Sequence, residues 1–279
     1  IWEATTGKFE RNLIGHKNQI MSAHFSPDSK TIVTASYDNT AKTWDAITAR
    51  RLTTLVGRTS LTHSTQFSPD GNFMVTSSDD RTAKIWDALT GKLIMSLNRH
   101  SGPVYYAEFS PDGKKIVTAS WDSTAVIWDG VSGEPLYELV GHKSKLFTAR
   151  FSPACQQDPK GGRKIVTASA DTSVRIWEAA TGKMIRELWG QTLPVYSVQF
   201  SPDGKKIITA SADDTVRIYD AATGRFERNI GRHGYEVMLA QFNPDGNSIL
   251  TASRYKTATI WDAITGEPKV SLIGHNDFI

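Results

Sequence analysis

Hydrophobic positions along the chain come in bursts of about five residues broken by polar turn residues, and no 3.6-residue apolar period persists anywhere. In Thr118–Asp129, TASWDSTAVIWD, two β-rich runs flank a short polar turn. The segment Ser110–Lys115, SPDGKK, carries Pro, Asp and Gly in the order of a tight turn, and Asp87–Lys92, DALTGK, is a second turn ending on Lys after Gly. Runs such as Ile116–Ser120 and Ile207–Ser211 are apolar or small at every position, which predicts strands covered on both faces. The pattern predicts strands throughout and almost no helix.

The bursts repeat. An aromatic–acidic pair recurs at Trp2-Glu3, Trp44-Asp45, Trp86-Asp87, Trp128-Asp129, Trp177-Glu178, Tyr219-Asp220 and Trp261-Asp262, at intervals of 42, 42, 42, 49, 42 and 42 residues. A second marker, Phe-Ser/Asn-Pro, starts at Phe25, Phe67, Phe109, Phe151, Phe200 and Phe242 and keeps register with the first. Four strands of about ten residues each, turn included, fill such a unit, too few for the long crossovers of parallel pairing. The strands are therefore expected to form antiparallel meanders. One such sheet cannot cover both of its faces alone. Sheets stacked face to face around an axis can, and radial repetition also protects strand edges. The expected fold is all-β, a β-propeller of four-stranded antiparallel blades, with 1–279 as a single domain.

The repeated Trp-Asp, the Gly-His pairs at Gly15-His16, Gly141-His142 and Gly274-His275, and an Asp six residues before the Trp resemble the WD40-repeat family over essentially the whole chain. The resemblance implies a hydrogen-bonded tetrad in each unit: His16, Ser36, Asp38 and Trp44; His100, Ser120, Asp122 and Trp128; His142, Ser169, Asp171 and Trp177. Three units depart from it. Arg58 replaces His beside Ser78, Asp80 and Trp86; Gln191 and Tyr219 accompany Ser211 and Asp213; Tyr255 replaces Asp beside His233, Ser253 and Trp261. Those blades are expected to be looser. Counting strands gives six complete blades plus a partial seventh made from residues 1–14 and 274–279. The parent chain is then expected to have seven or more repeats, with a six-bladed ring carrying a spare strand as the alternative.

The same resemblance places the loops joining the outermost strand to the next innermost one, and the second to the third, on one face. Two positions per unit ring the channel mouth there: Met21, His63, Tyr105, Phe147, Tyr196 and Met238, and Tyr37, Asp79, Trp121, Ala170, Ala212 and Arg254. Aromatics, Met and Arg are enriched at interface cores. Tyr37, Trp121, Tyr105, Phe147, Tyr196, Met21, Met238 and Arg254, with Lys145 at the rim, are the expected partner contacts, for a peptide or protein segment with an acidic group and an apolar anchor.

Composition narrows the alternatives. The 279 residues are 39% hydrophobic and 22% charged, with 32 basic and 29 acidic residues for a net charge of +3. That balance gives no basic stripe, so nucleic acid is not the expected partner. No run of 18 apolar residues predicts a membrane span. The one cysteine, Cys155, allows no disulfide within the chain and points to a cytoplasmic setting. A Ser-His-Asp catalytic reading fails because the constellation recurs in every unit, whereas a triad occurs once. Five of the seven histidines occupy that repeated position, leaving His24 and His63, so no metal motif is expected. No cofactor is expected. Asp79-Asp80 and Asp213-Asp214 lie in turns where Asp caps its own backbone. The insertion Ala154–Lys164, ACQQDPKGGRK, reads as a polar surface loop on the opposite face. The expected function is a non-catalytic interaction scaffold within a larger signalling or assembly protein. The alternative is a regulatory or sensor array attached to an enzyme domain; a propeller enzyme or a nucleic-acid binder fits less well.

Overall fold

A computed structural model of the chain describes residues 1–3, 8–57, 59–154, 158, 161–254 and 257–272. Among these residues there is no helix, and hence none long and apolar enough to cross a membrane. The strands form six four-stranded antiparallel sheets, each ordered as the chain runs. Blade 1 comprises β1 (Ile20–Phe25), β2 (Thr31–Ser36), β3 (Ala41–Asp45) and β4 (Arg51–Leu55). Blade 2 comprises β5 (Thr62–Phe67), β6 (Phe73–Ser78), β7 (Thr82–Asp87) and β8 (Leu93–Asn98). Blade 3 comprises β9 (Val104–Phe109), β10 (Lys115–Ser120), β11 (Ala125–Asp129) and β12 (Pro135–Leu139). Blade 4 has β13 (Leu146–Phe151), β14 (Lys164–Ser169), β15 (Val174–Glu178) and β16 (Met184–Leu188). Blade 5 has β17 (Val195–Phe200), β18 (Lys206–Ser211), β19 (Thr215–Asp220) and β20 (Phe226–Arg232). Blade 6 has β21 (Val237–Phe242), β22 (Ser248–Ser253), β23 (Thr257–Asp262) and β24 (Pro268–Leu272).

The chain divides into two compact units, Ile1–Glu138 and Leu139–Ile279. In the first, Val75, Ile85 and Leu97 of blade 2 pack with Val104, Phe109, Ile116 and Trp128 of blade 3. In the second, Val166, Ile176 and Leu188 of blade 4 pack with Val198, Phe200 and Tyr219 of blade 5, whose own Ile208, Ile218 and Ile230 pack with Val237, Phe242 and Trp261 of blade 6. Within each unit a blade thus covers the face its neighbour exposes. Burial follows strand position. The second strand is buried almost end to end, as in β2 and β10, whereas the fourth, as in β12, is exposed except for its last leucine. Neutral or small side chains on both faces of the second strand are what allow two sheets to close on it.

The aromatic–acidic pair is explained by strand alternation, which sends the two side chains to opposite faces. Trp44, Trp86, Trp128 and Trp177 are each at most 2% exposed. The following Asp instead caps the next turn: Asp45 Oδ1 accepts from the Thr48 amide at 2.7 Å and its hydroxyl at 2.8 Å, and Asp87 does the same with Thr90. Near the start of the chain, Trp2 and Phe9 pair in an isolated antiparallel bridge, their rings edge-on at 5.2 Å. The other portion assigned to a partial seventh blade, 274–279, lies outside the described residues, as do Arg58, Tyr255 and Cys155.

Candidate functional site

In blades 1, 3 and 4 a buried polar chain ties together the two loops that build the face. In blade 1, His16 Nδ1 lies 2.8 Å from Asp38, and His16 Nε2 lies 2.7 Å from Thr34 Oγ1, which also accepts from Trp44 Nε1 at 2.8 Å. The Asp38 carboxylate can only accept, so His16 carries its proton on Nδ1, and in the neutral imidazole Nε2 accepts from the Thr34 hydroxyl. Blades 3 and 4 repeat this through Thr118 and Thr167. The hydroxyl in the chain is therefore threonine, not the serine two residues later. Ser36, Ser120 and Ser169 do something else: Ser120 Oγ donates to the Gly102 carbonyl at 3.1 Å and accepts from the Asp122 amide at 3.1 Å. Ser36 and Ser169 tie the same two loops together. Threonine and serine sit on one face of the strand, and the depth at which His enters selects the former.

Burial pushes the Asp38, Asp122 and Asp171 carboxyls upward, but hydrogen bonds outweigh it and hold all three well below the usual carboxylate range. For Asp122 these bonds come from His100 and Thr124, for Asp171 from His142 and Ser173. Burial also lowers His16, so its imidazole stays neutral. Blade 5 is rewired rather than empty. Gln191 Nε2 donates to Thr209 Oγ1 at 2.7 Å, Arg217 bonds Gln191 and Asp213, and the Tyr219 hydroxyl reaches the Trp189 carbonyl at 3.2 Å. In blade 6, Trp261 Nε1 still donates to Thr251 at 2.6 Å, and His233 lies edge-on to the indole at 5.5 Å.

Above this chain, every first strand carries a bulge at one position. Ile20 pairs with Ser36 and Ser22 with Ala35, so Met21 is the extra residue. The same shift singles out His63, Tyr105, Phe147, Tyr196 and Met238. A bulge re-aims its side chain. The second set is fixed by a backbone bond to the residue before the first strand: Tyr37 to Gln19, Asp79 to Leu61, Trp121 to Pro103, Ala170 to Lys145, Ala212 to Pro194 and Arg254 to Glu236, each 2.8–3.0 Å. The two sets of positions therefore belong to one pair of linked loops in every blade.

In the first unit these positions converge on His63, which is 5% exposed. Its Nε2 lies 2.6 Å from Asp79 Oδ1. Tyr105 lies over it at 4.5 Å, Tyr37 meets it edge-on at 5.5 Å, and Trp121 lies at 6.3 Å, itself stacked on Tyr105 at 5.8 Å. Tyr37, Tyr105 and Trp121 remain half-buried, so part of each ring faces solvent. Burial, and then the charge of Asp79, raise the Tyr37 phenol above its ordinary value. In the second unit Phe147 meets Tyr196 edge-on at 5.1 Å. Arg254, exposed, pairs with Glu236 at 2.7 Å. Burial and the Glu236 charge raise the Tyr196 phenol. Met21 and Met238 are half-buried at their bulges and Lys145 is exposed.

His63, Asp79 and Glu236 are the participants that sequence reasoning undervalued or missed. The first two fall at the ring positions but look like an isolated His and a turn Asp until the bulge faces them together. Glu236 carries no such signal. Among the described residues no group of three His, Cys, Asp or Glu side chains is placed to hold a metal ion.

Comparison with curated proteins gives no match. The family model for the WD domain, G-beta repeat, matches six times, at residues 7–45, 50–87, 91–129, 133–178, 182–220 and 224–262. Each match is offset from a blade by one strand: 50–87 contains β4 of blade 1 followed by β5, β6 and β7 of blade 2. Consecutive repeats thus interlock, because each supplies the outer strand of the sheet before it. With matches over nearly its whole length, the chain belongs to the WD40-repeat family, whose domains are typically non-catalytic and generally mediate protein–protein interaction.

Proposed function

We propose that this chain is an interaction scaffold that holds a peptide or protein segment on the face built by the bulged strands, through the aromatic patch of the first unit. The observation that carries this reading is the convergence of Tyr37, Tyr105 and Trp121 on buried His63, which is paired with half-buried Asp79. Half-buried aromatic residues held against a buried histidine offer apolar area at little cost in side-chain ordering, which is how aromatic hot spots work. The second unit supports the reading less. Its one strongly placed cation, Arg254, is already paired with Glu236. The expectation of an acidic group on the partner rested on Arg254 and Lys145, and that pairing removes half of its basis. An apolar or aromatic anchor is the part of the expectation that the geometry favours.

The test is a peptide-display selection on the full chain, followed by affinity measurement on the double variant Trp121→Ala, Tyr105→Ala. Selected peptides should bind the double variant at least about tenfold more weakly, the scale of one hot-spot side chain. Its thermal transition and far-ultraviolet circular dichroism should stay close to those of the parent. Equal affinity for both proteins would overturn the proposal.

A further inference from the structure

One buried position on the third strand varies among the blades. The residue opposite the tetrad threonine on the third strand is Lys42 in blade 1, Lys84 in blade 2, Arg217 in blade 5, Arg175 in blade 4, where it pairs with Glu187 instead, Thr259 in blade 6 and Val126 in blade 3. In blade 1 the buried Lys42 Nζ donates to Asp38 Oδ2 at 3.3 Å and Thr40 Oγ1 at 2.5 Å. In blade 2 Lys84 Nζ donates to Asp80 Oδ2 at 2.9 Å and the Gly57 carbonyl at 2.9 Å. In blade 5 the Arg217 guanidinium reaches Asp213 at 2.8 Å. The turn carboxylate of these blades is thus a receptor for a cation that the chain itself provides.

Blade 3 keeps the receptor without that cation. Asp122 Oδ2 accepts from His100 Nδ1 at 2.8 Å and from the Ser101 amide at 3.0 Å. Asp38 Oδ2 makes the same two contacts at the same distances, and Lys42 adds the third. Where the lysine stem would run, blade 3 has a cavity of about 210 Å³, lined by His100, Asp122, Thr124, Val126, Arg99 and Glu138. Arg99 and Glu138 close a salt bridge at 2.8 Å on its rim and neutralise each other, which leaves the Asp122 charge as the net field inside. An ammonium group has three donors. By correspondence with the two lysine blades, Asp122 Oδ2, Thr124 Oγ1 and the Arg99 carbonyl supply three acceptors.

We propose that the blade 3 cavity is a seat for a primary alkylammonium group, whether a free amine or a lysine side chain of a partner. The seat does not depend on the aromatic patch, so either can fail without the other. The experiment follows the amide resonances of Ser101, Asp122 and Thr124 in the full chain during titration with n-butylammonium chloride. Tetramethylammonium chloride at equal ionic strength, which has no N–H donor, is the control. Saturable shifts with n-butylammonium alone are expected. Val126→Lys, which brings its own ammonium, should weaken that binding at least about tenfold, the worth of a charge-assisted hydrogen bond. Lys42→Val should open a second seat, seen as new saturable shifts at Lys17, Asp38 and Thr40, and this arm stands even if Val126→Lys folds poorly. An arm with Nα-acetyl-lysine methylamide separates the sources. Binding of both probes supports a lysine side chain, and binding of n-butylammonium alone supports a free amine. No saturable shift in the parent chain, unchanged binding in Val126→Lys, or no second seat in Lys42→Val would overturn the proposal.

Discussion

The two units present the same backbone positions and different chemistry. In the first, the bulge and turn residues form one aromatic cluster anchored by His63 and Asp79. In the second, the same positions give the aromatic pair Phe147 and Tyr196 and a surface ion pair between Arg254 and Glu236. Beneath both, the His–Thr–Trp chain recurs, in blades 1 and 3 of the first unit and in blade 4 of the second, with Thr118 and Thr167 in matching roles. The difference teaches that the blade interior fixes where the loops go. The residues at the loop positions can then diverge, because the loops are held by backbone bonds that do not involve their side chains.

The comparison can be broken or sharpened in three steps. The largest effect should come from acid, because it acts on the interiors of both units together. Asp38, Asp122 and Asp171 have folded-state values below the ordinary one, so their contribution is present above the unfolded value, about 4, and is lost as pH falls through the folded values. Denaturant midpoints measured from pH 6 downward should therefore fall steeply below pH of about 4. The fall should be shallower in a variant carrying Asn at all three positions. A second step compares the interiors directly. Thr118→Val and Thr167→Val each leave a buried indole N–H and an imidazole nitrogen without their partner, a loss of about 2–3 kcal/mol in chemical denaturation. The two should agree, and a clear disagreement would mean that the interiors are not equivalent. The third step concerns the faces. His63→Ala removes a 95%-buried ring centred in its cluster and should cost about 2 kcal/mol. Arg254→Ala opens only an exposed ion pair and should shift stability by no more than about 0.5 kcal/mol. Equal effects would erase the contrast between the two faces.

Much of the architecture is legible in the sequence because period and turn chemistry are local. The 42-residue interval, the Phe-Ser-Pro marker and the Trp-Asp pair locate the strands and their turns. The expectation that blade 5 would be looser is less secure in the structure, where Gln191, Arg217 and Tyr219 build a different but connected network. A substitution list cannot show this, since the replacement bonds come from residues that lie outside the tetrad positions. The site was legible as a set of positions and not as a cluster. The sequence does not tell that Tyr105, at one of these bulges, meets His63 of the neighbouring blade and Trp121 of its own.

By itself the sequence determined the all-β repeat, its period, the antiparallel order within each unit and the loops that carry variable side chains. It could do so because strand alternation and turn preference act over a few residues. Only the tertiary structure decided that threonine and not serine links histidine to tryptophan. That choice depends on how deeply the histidine loop descends beside the strand, a distance set by packing. Tertiary structure also decided that His63 meets Asp79 and three rings, and that Val126 leaves Asp122 without the cation that blades 1, 2 and 5 supply. Those facts join residues on separate strands and blades, and spacing along a chain carries no measure of that distance.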